Sequence, residues 1–333
     1  MSIEDRILRF EETSHGRLKT LDPARTCVVA AISPLEAHGP HLPVGQDWFE
    51  AMVLGEHTVR RVAEMKPDWT FLMMPPVPIA DDCLPHLGSV PFPAPLVREV
   101  AYRLLLPFAR HGFARLLYTS FHGGPRHMTA LEHAAHSLTK KFETHAISMF
   151  SAVACRMLEG NVFFDAIKDH PDVPISLDEI SQDWHAGFVE TSLALHLWPQ
   201  LVGDGWRDLP PAFRKVFSDE NDKGTYFMGA ARETLADKFK KIANVAQNIK
   251  AQIEHYDDHT YAGAPAKASA EMGRLMFEHL LDISTGIACD FLDRGSAVPH
   301  HTPLWKMRRI LLDKNLNSLL TDRLGLYVER IED

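Results

Sequence analysis

From residue 27 to residue 150 the chain alternates two patterns. Short apolar runs read as buried strands, and the stretches between them carry apolar residues at spacings of three, four and seven, as amphipathic helices do. Cys27-Val-Val-Ala-Ala-Ile32 opens the first strand, predicted over 27–33. A helix is predicted over 48–65, with Phe49, Met52, Val53, Val59, Val62 and Ala63 on its inward face, and Lys66-Pro67-Asp68 ends it. Thr70-Phe-Leu-Met-Met74 is the next strand. A helix over about 94–111 stops at Gly112, a residue suited to a C-cap. Ala114–Phe121, a helix over 126–141 and a strand over 145–150 complete the alternation.

Strands and helices in strict alternation, joined by short turns, are the mark of βαβ units. The pattern predicts an α/β fold with a mainly parallel central sheet. Residues 1–25 read as a short helix and a polar lead-in. Residues 156–182 are mixed and polar and read as an excursion from the sheet. An irregular insert is expected over 204–225, a long helix over about 229–256, another over about 266–283, and helical structure to the end of the chain. The expected division is a catalytic domain over 1–285, with an insert at about 204–250, and a helical C-terminal extension over 286–333.

Composition narrows the function. The chain has 333 residues, 45% of them hydrophobic, enough for a large core, and a formal charge of −9. No long basic run marks a phosphate-backbone footprint, which excludes nucleic acid as an expected partner. The N-terminus is charged and leads into no apolar signal segment, and no apolar run approaches the roughly 18–20 residues that span a bilayer. A soluble, cytoplasmic protein with no membrane partner is expected. Cys27, Cys83, Cys155 and Cys289 are far apart and form no CxxC pair. That spacing points away from a zinc ribbon, a dithiol redox site or any thiolate-rich metal site.

Nineteen histidines are many for this length. His133 and His136, three apart on a predicted helix, are read as a polar helix face rather than a ligand pair. Others stand in loops beside strand ends. The loop after the first strand holds Glu36, His38, His41 and Asp47 among two prolines and two glycines. His122 follows the third predicted strand directly. His185 and Glu190 lie at a loop-to-helix junction. In open α/β sheets, ligands bind at the carboxyl ends of strands. Imidazole and carboxylate together suit Zn, Mn or similar divalent ions. The supply of donors fits two metals, with Asp47 able to bridge. Two cations about 3.5–4 Å apart can share a water and lower its pKa, generating a hydroxide that attacks a polarised carbonyl. His185, with an ordinary imidazole pKa, suits proton transfer to a leaving nitrogen. Asp183 and Glu190 also fit the plainer role of carboxylates at a helix N-terminus. The loop over 77–92, with Asp81, Asp82, His86 and Gly88, is long enough to serve a function.

Three motifs, taken together, resemble the creatininase (creatinine amidohydrolase) family: Leu35-Glu36-Ala-His38-Gly39-Pro-His41-Leu-Pro43 with Asp47; His122-Gly123-Gly124; and His185-Ala-Gly187 with Glu190-Thr-Ser192. Gly263-Ala-Pro265 with Glu271 and Gly273 is a weaker echo. The resemblance spans about residues 25–285. It implies a three-layer α/β/α sandwich with a dinuclear metal centre. Glu36, His38, Asp47 and His122 would be ligands, with Asp47 bridging. Creatininase carries a carboxylate two residues after the second-loop histidine, where this chain has Gly124. Relatives with the Gly-Gly form point instead to the Glu of Glu-Thr-Ser, here Glu190, as ligand, with acid–base work as its alternative. The resemblance gives His185 a proton-transfer role. His41, Ser120, Gly123, Gly124 and Trp184 are expected to line the substrate or support the ligands.

The implied reaction is metal-dependent hydrolysis of a non-peptide C–N bond in a cyclic amide, formamide or lactam-like small molecule. It would use two divalent ions per chain (Zn, Mn or Fe) and a metal-bridging hydroxide. Trimming of a peptide-derived substrate and a non-catalytic metal-binding scaffold are the alternatives. The family also implies a homo-oligomer, a hexamer in its known members. Two departures shift the expected substrate away from creatinine. Ser120 and Pro125 stand where the family has asparagines, and the chain is longer in 204–250 and after 286.

Overall fold

The computed structural model describes residues 2–213, 251, 254–256 and 258–314. Five strands form one sheet: β1 (Ile7–Arg9), β2 (Thr26–Ala31), β3 (Thr70–Met73), β4 (Arg115–Thr119) and β5 (His145–Ser148). Their order across the sheet is β1-β3-β2-β4-β5, and every pair is parallel. β2 lies at the centre, fully buried along its length. The fold is the expected α/β class.

The helices of the alternation are α1 (His15–Leu18), α2 (Gln46–Met65), α3 (Ala94–Arg110), α4 (Pro125–Lys141) and α5 (Met149–Met157). Strand side chains alternate between the two faces. Val28, Ala30, Leu72, Leu116 and Tyr118 pack with Val97, Ala101 and Leu105 of α3 and Ala130, Leu131, Ala134 and Leu138 of α4. The intervening Cys27, Phe71 and Leu117 face Thr58, Val59 and Val62 of α2 together with Ala288, Phe291 and Leu292 of a long helix, Ala270–Arg294. Helices therefore cover both faces of the sheet, and apolar burial on both faces is what lets strands this short be so uniformly hydrophobic.

Several elements differ from the pattern reading. β1 was expected to be helix or polar lead-in. It is three residues long, preceded by Arg6 and ending in Arg9, too short and too charged to show a strand period. Arg6 is buried because its guanidinium donates to the carbonyl oxygens of Ala63, Lys66 and Trp69, capping the C-terminal end of α2 and the turn after it. α2 is buried along Asp47, Glu50, Ala51, Leu54, Gly55, Thr58, Val59 and Val62, whereas Phe49, Met52 and Val53 are only half-buried. Its inward face is rotated from the hydrophobic one because its first turns carry buried carboxylates. β5 ends at Ser148, whose hydroxyl accepts from the Ser151 N–H and starts α5. The helix expected over 266–283 runs on to Arg294. The helix expected over about 229–256 falls almost wholly outside the described residues. Helical structure does continue beyond residue 286, with Pro303–Met307 and Arg308–Leu311 as short turns.

The chain divides into two compact units. One comprises the chain to Glu36, Val44–Glu159 and the chain from Glu278 on; the other comprises Ala37–Pro43 and Gly160–Phe277, as far as these are described. The second unit contains α6 (Val162–Ile167), α7 (Leu177–Ile180) and α8 (Phe188–Leu197). There Ala262 pairs with His185 and Gly263 with Ala212 as isolated bridges. Gly273 lies so close to α8 that a Cβ at this position would stand 1.9 Å from the Ser192 carbonyl oxygen. Among the described residues no helix is long and apolar enough to cross a membrane.

Candidate metal centre

Within the first unit, three carboxyl-end segments of the sheet converge. Glu36 follows β2, Asp47 lies in the first turn of α2, and His122 follows β4. All three are buried. The Glu36 N–H donates to the Val44 carbonyl at 2.8 Å, pinning the loop at both ends. The Leu84 N–H donates to Glu36 Oε1 at 2.7 Å. Asp47, near a helix N-terminus, has its negative charge favoured by the helix dipole.

His122 is oriented at both ring nitrogens. Nε2 lies 2.9 Å from the Asp81 carbonyl oxygen, so it carries a proton and donates there. Nδ1 lies 2.9 Å from Asp47 Oδ2 and 3.2 Å from Glu36 Oε2. With its proton on Nε2, a neutral ring would turn a lone pair towards two acceptors. A second proton or a cation between them removes that conflict. Burial opposes the charged ring, but Glu36 and Asp47 outweigh it and raise the His122 pKa well above the ordinary range. A histidine whose distal N–H is fixed on a backbone carbonyl, with the other nitrogen facing carboxylates, is the arrangement in which a divalent ion is held. The donor set therefore fits the metal that the sequence implies.

The Asp81 carbonyl is itself held firmly. Asp81 Oδ2 accepts from the Ala94 N–H at the start of α3, and Oδ1 accepts from Arg126 Nη2 at 2.8 Å. Asp82 takes a positive φ of 64°, rare for a residue with a side chain. It is kept there by the Arg126 Nε and backbone N–H, which donate to its two oxygens. Cys83 follows, buried. Its sulfur, a Glu36 oxygen and a His122 nitrogen lie within 4.8 Å of one another. The cysteine spacing argued against a thiolate-rich site, and it did not bring out the one cysteine, Cys83, that stands beside Glu36 and His122. Spacing along the chain reveals CxxC pairs, and it is silent about a cysteine brought in by a loop.

Gly124 and Gly123 differ. A Cβ at 124 would lie 2.6 Å from His122 Nε2 and 2.8 Å from the Asp82 Cβ, whereas a Cβ at 123 would meet nothing within 4 Å. Position 124 has no room for a side chain. Ser120 is turned inward, its hydroxyl 3.0 Å from His127 Nε2 and 3.4 Å from the Ser33 hydroxyl. It serves as internal support.

Within the second unit, His38 is fully buried, its Nε2 3.7 Å from Glu190 Oε2 and its ring centroid 4.1 Å from that of His185. His185 Nε2 lies 2.7 Å from the Ala37 carbonyl and donates to it. The Tyr256 ring stands edge-on to His185 at 6.0 Å. Glu190, in the first turn of α8, accepts from the Ala186 N–H and supports the positive φ of 46° there. Asp183 does what the plainer reading expected of it. Its carboxylate accepts from the N–H groups of Phe188, Val189 and Ala264, capping α8. His41 Nε2 is 2.8 Å from the Thr191 hydroxyl. Burial, then the neighbouring His38 and His185, push the His41 pKa down to about 4, so it is neutral at pH 7. Trp184 is 58% exposed, which suits a surface better than a ligand shell.

Of the predicted residues, then, Glu36, Asp47 and His122 meet in the first unit, and His38, His185 and Glu190 meet in the second. Sequence reasoning missed Cys83, Arg126 and Tyr256. Only the Asp81-Asp82 pair in the long 77–92 loop gave a signal, since two acids in a buried loop need a cation such as Arg126.

The family model for creatininase, described as creatinine amidohydrolase, matches residues 11–285. No curated protein matches the chain. Among solved structures, one from Bacteroides fragilis NCTC 9343, provisionally described as a creatinine amidohydrolase, is similar with 18% identity and a TM-score of 0.58, covering 88% of this chain and 98% of the other. A creatininase described with Mn is 18% identical with a TM-score of 0.52, covering 84% and 96%. A creatininase mutant complexed with creatine is 18% identical with a TM-score of 0.51, again covering 84% and 96%. At these identities the likeness is one of fold.

Proposed function

Because the chain belongs to the creatininase family, we propose that it is a metal-dependent amidohydrolase that opens a non-peptide C–N bond in a small molecule: a cyclic amide, a formamide or a lactam-like compound. The observation that carries this reading is the setting of His122, with one nitrogen fixed on the Asp81 carbonyl and the other facing the carboxylates of Glu36 and Asp47. The proposed ligands are Glu36, His38, Asp47, His122 and Glu190, for two divalent ions per chain, with Asp47 as the bridge. Such ions, when bound, supply Lewis acidity that activates water and polarises a carbonyl.

The chain's own groups would do the rest. The Asp81 carbonyl fixes the His122 tautomer. His185 moves the proton. Its Nε2 is engaged by the Ala37 carbonyl, so transfer to a leaving nitrogen falls to Nδ1. Neutral His41, hydrogen-bonded to Thr191, braces the start of α8, where Glu190 sits. Ser120 is committed to His127, so substrate selection lies with other groups than the asparagines of the family pattern.

The test combines metal analysis with turnover. Protein purified with metal available is expected to hold close to two divalent ions and to hydrolyse at least one member of a panel of cyclic amides and formamides. His185→Ala should keep the ions and lose turnover. Full metal loading with no hydrolysis of any panel member would favour the scaffold reading, and absence of bound metal would end the dinuclear one.

A further inference from the structure

We infer that Cys83 is a metal ligand, so that the metal site of the first unit is a mixed sulfur, nitrogen and oxygen site formed by Glu36, Asp47, His122 and Cys83, suited to zinc rather than manganese. This rests on the reading above that the site holds a divalent ion, and it adds a ligand and a metal preference to it.

Three observations carry the assignment. The first is placement. The Cys83 sulfur, a Glu36 oxygen and a His122 nitrogen lie within 4.8 Å of one another, and Asp47 Oδ2 is 2.9 Å from His122 Nδ1. Ligands about 2.0–2.3 Å from a common ion stand at most roughly 4.4 Å apart, so small side-chain adjustments bring Glu36, His122 and Cys83 onto one centre, and Asp47 joins them through its contact with His122. Four donors complete a tetrahedral shell, the number zinc takes.

The second is the work done to put the sulfur there. Asp82, with its positive φ, turns the loop just before Cys83, and such a backbone costs on the order of 1–3 kcal/mol unless its surroundings fix it. The Arg126 guanidinium and backbone N–H, the Asp81 carboxylate and the start of α3 all fix it. The same loop supplies the carbonyl that orients His122 and the N–H of Leu84 that orients Glu36. One short stretch, Asp81 to Leu84, thus positions two ligands and carries a third donor between them. Ordinary burial of a small apolar side chain asks for none of this.

The third is Gly124. The space beside His122 that a side chain at 124 would use is filled by Asp82. The second loop cannot add a donor from that position, and the neighbouring loop delivers a thiol to the same ligand set.

In the free protein Cys83 is a thiol. Burial, and then the Glu36, Asp47, Asp81 and Asp82 carboxylates, raise its pKa well above the ordinary value, and its S–H points to the Ala80 carbonyl 3.9 Å away. Coordination releases that one proton to solvent, and a bound dication reverses the local preference for the neutral form. No oxidation or reduction is involved. A thiolate in the shell shifts selection towards softer ions such as Zn²⁺ and Co²⁺ and away from Mn²⁺.

The test is optical. Full-length apoprotein is titrated with Co(II). A near-ultraviolet thiolate-to-cobalt charge-transfer band is expected, along with visible d–d bands. In Cys83→Ser and Cys83→Ala, each checked for folding by circular dichroism, the charge-transfer band should vanish while visible bands remain. In competition between equal Zn²⁺ and Mn²⁺, wild type should load zinc and Cys83→Ser should shift towards manganese. Visible bands without a charge-transfer band in wild type would overturn the Cys83 assignment and leave the metal reading standing. A charge-transfer band that persists in both variants would place the thiolate at another cysteine and also overturn it. No cobalt binding at all would overturn both.

Discussion

Two groups of imidazoles in the first unit have opposite surroundings. His122 faces Glu36 and Asp47, and its pKa is driven up. His301 stacks on Trp305 with ring centroids 4.0 Å apart and planes 3° from parallel, and has His300 at 4.2 Å and His136 at 5.7 Å. The Arg308 guanidinium covers the other ring of that stack, Trp305, at 4.5 Å. Here burial leads, and neighbouring imidazoles and Arg308 add to it, pushing His301 down to about 3 and, mainly by burial, His300 to about 4. Both groups are crowded, and both are aromatic. The sign of what they face separates them. Anions around an imidazole prepare it to hold a cation; cations and other rings around it make it a neutral packing group. A high histidine count therefore says little until each ring's neighbours are known.

The sharpest way to break this contrast is to remove an anion from the first group. Asp47→Asn is expected to weaken metal binding by at least ~100-fold and to abolish turnover, read by metal titration and by assay, because losing a group that would bind the ion itself exceeds the 10–100-fold typical of residues that support the ligands. Unchanged metal affinity would mean that the carboxylates around His122 are structural.

A smaller effect concerns an acid bonded to the chain beside the second group. Glu132 is buried and accepts from the Thr302 N–H, next in sequence to His301. Burial raises its carboxyl to about 7, against the pull of that hydrogen bond. A group raised above its unfolded value contributes stability that is complete below about 4.5 and is lost as pH rises through about 7. Glu132→Gln does not titrate. It should therefore be more stable than wild type at pH 8, by about 1–3 kcal/mol, and no more stable at pH 4. A stability difference between variant and wild type that is the same at the two pH values would show that burial does not raise the Glu132 carboxyl, and that this region holds an ordinary carboxylate as the surroundings of His122 do.

The smallest expected effect is at His301 itself. His301→Phe keeps a ring on Trp305 and should change stability by no more than ~1 kcal/mol, with bound metal unaltered. A drop in metal content would erase the distinction between the two groups.

The fold was legible because its alternation is strong. β2, α2, β3, α3, β4 and α4 all begin and end within a few residues of where periodicity and Pro/Gly punctuation put them. β1 was not legible, since a three-residue strand that follows Arg6 and ends in Arg9 carries no period. The inward face of α2 was misjudged for a related reason: hydrophobicity marks burial, and here the buried turn is the charged one that carries Asp47 and Glu50. At the site, His122, Glu36 and Asp47 could be read from their places at strand and helix ends. The side chains that hold them could not. Arg126 and Asp81 meet across 45 residues of sequence, and Cys83 reaches the ligands only through a loop whose shape depends on that pairing.

The Asp183 carboxylate has its own consequence. A Cβ on Gly187 would lie 2.3 Å from Asp183 Oδ2, and one on Gly263 would lie 2.1 Å from it. Anyone building a mutant library one position at a time will find all three sites intolerant, and will take them for three separate requirements. Two of them are one: a larger residue at Gly187 becomes admissible only when the acid has already gone, and with the acid goes the cap of α8, whereas Gly263, with a φ of 149° and the Gly187 Cα 2.9 Å from where its Cβ would stand, stays closed to a side chain either way. Diversification of this region therefore has to proceed by joint replacement, and a designer who wants a different loop around His185 should randomise 183 and 187 together and keep the glycine at 263.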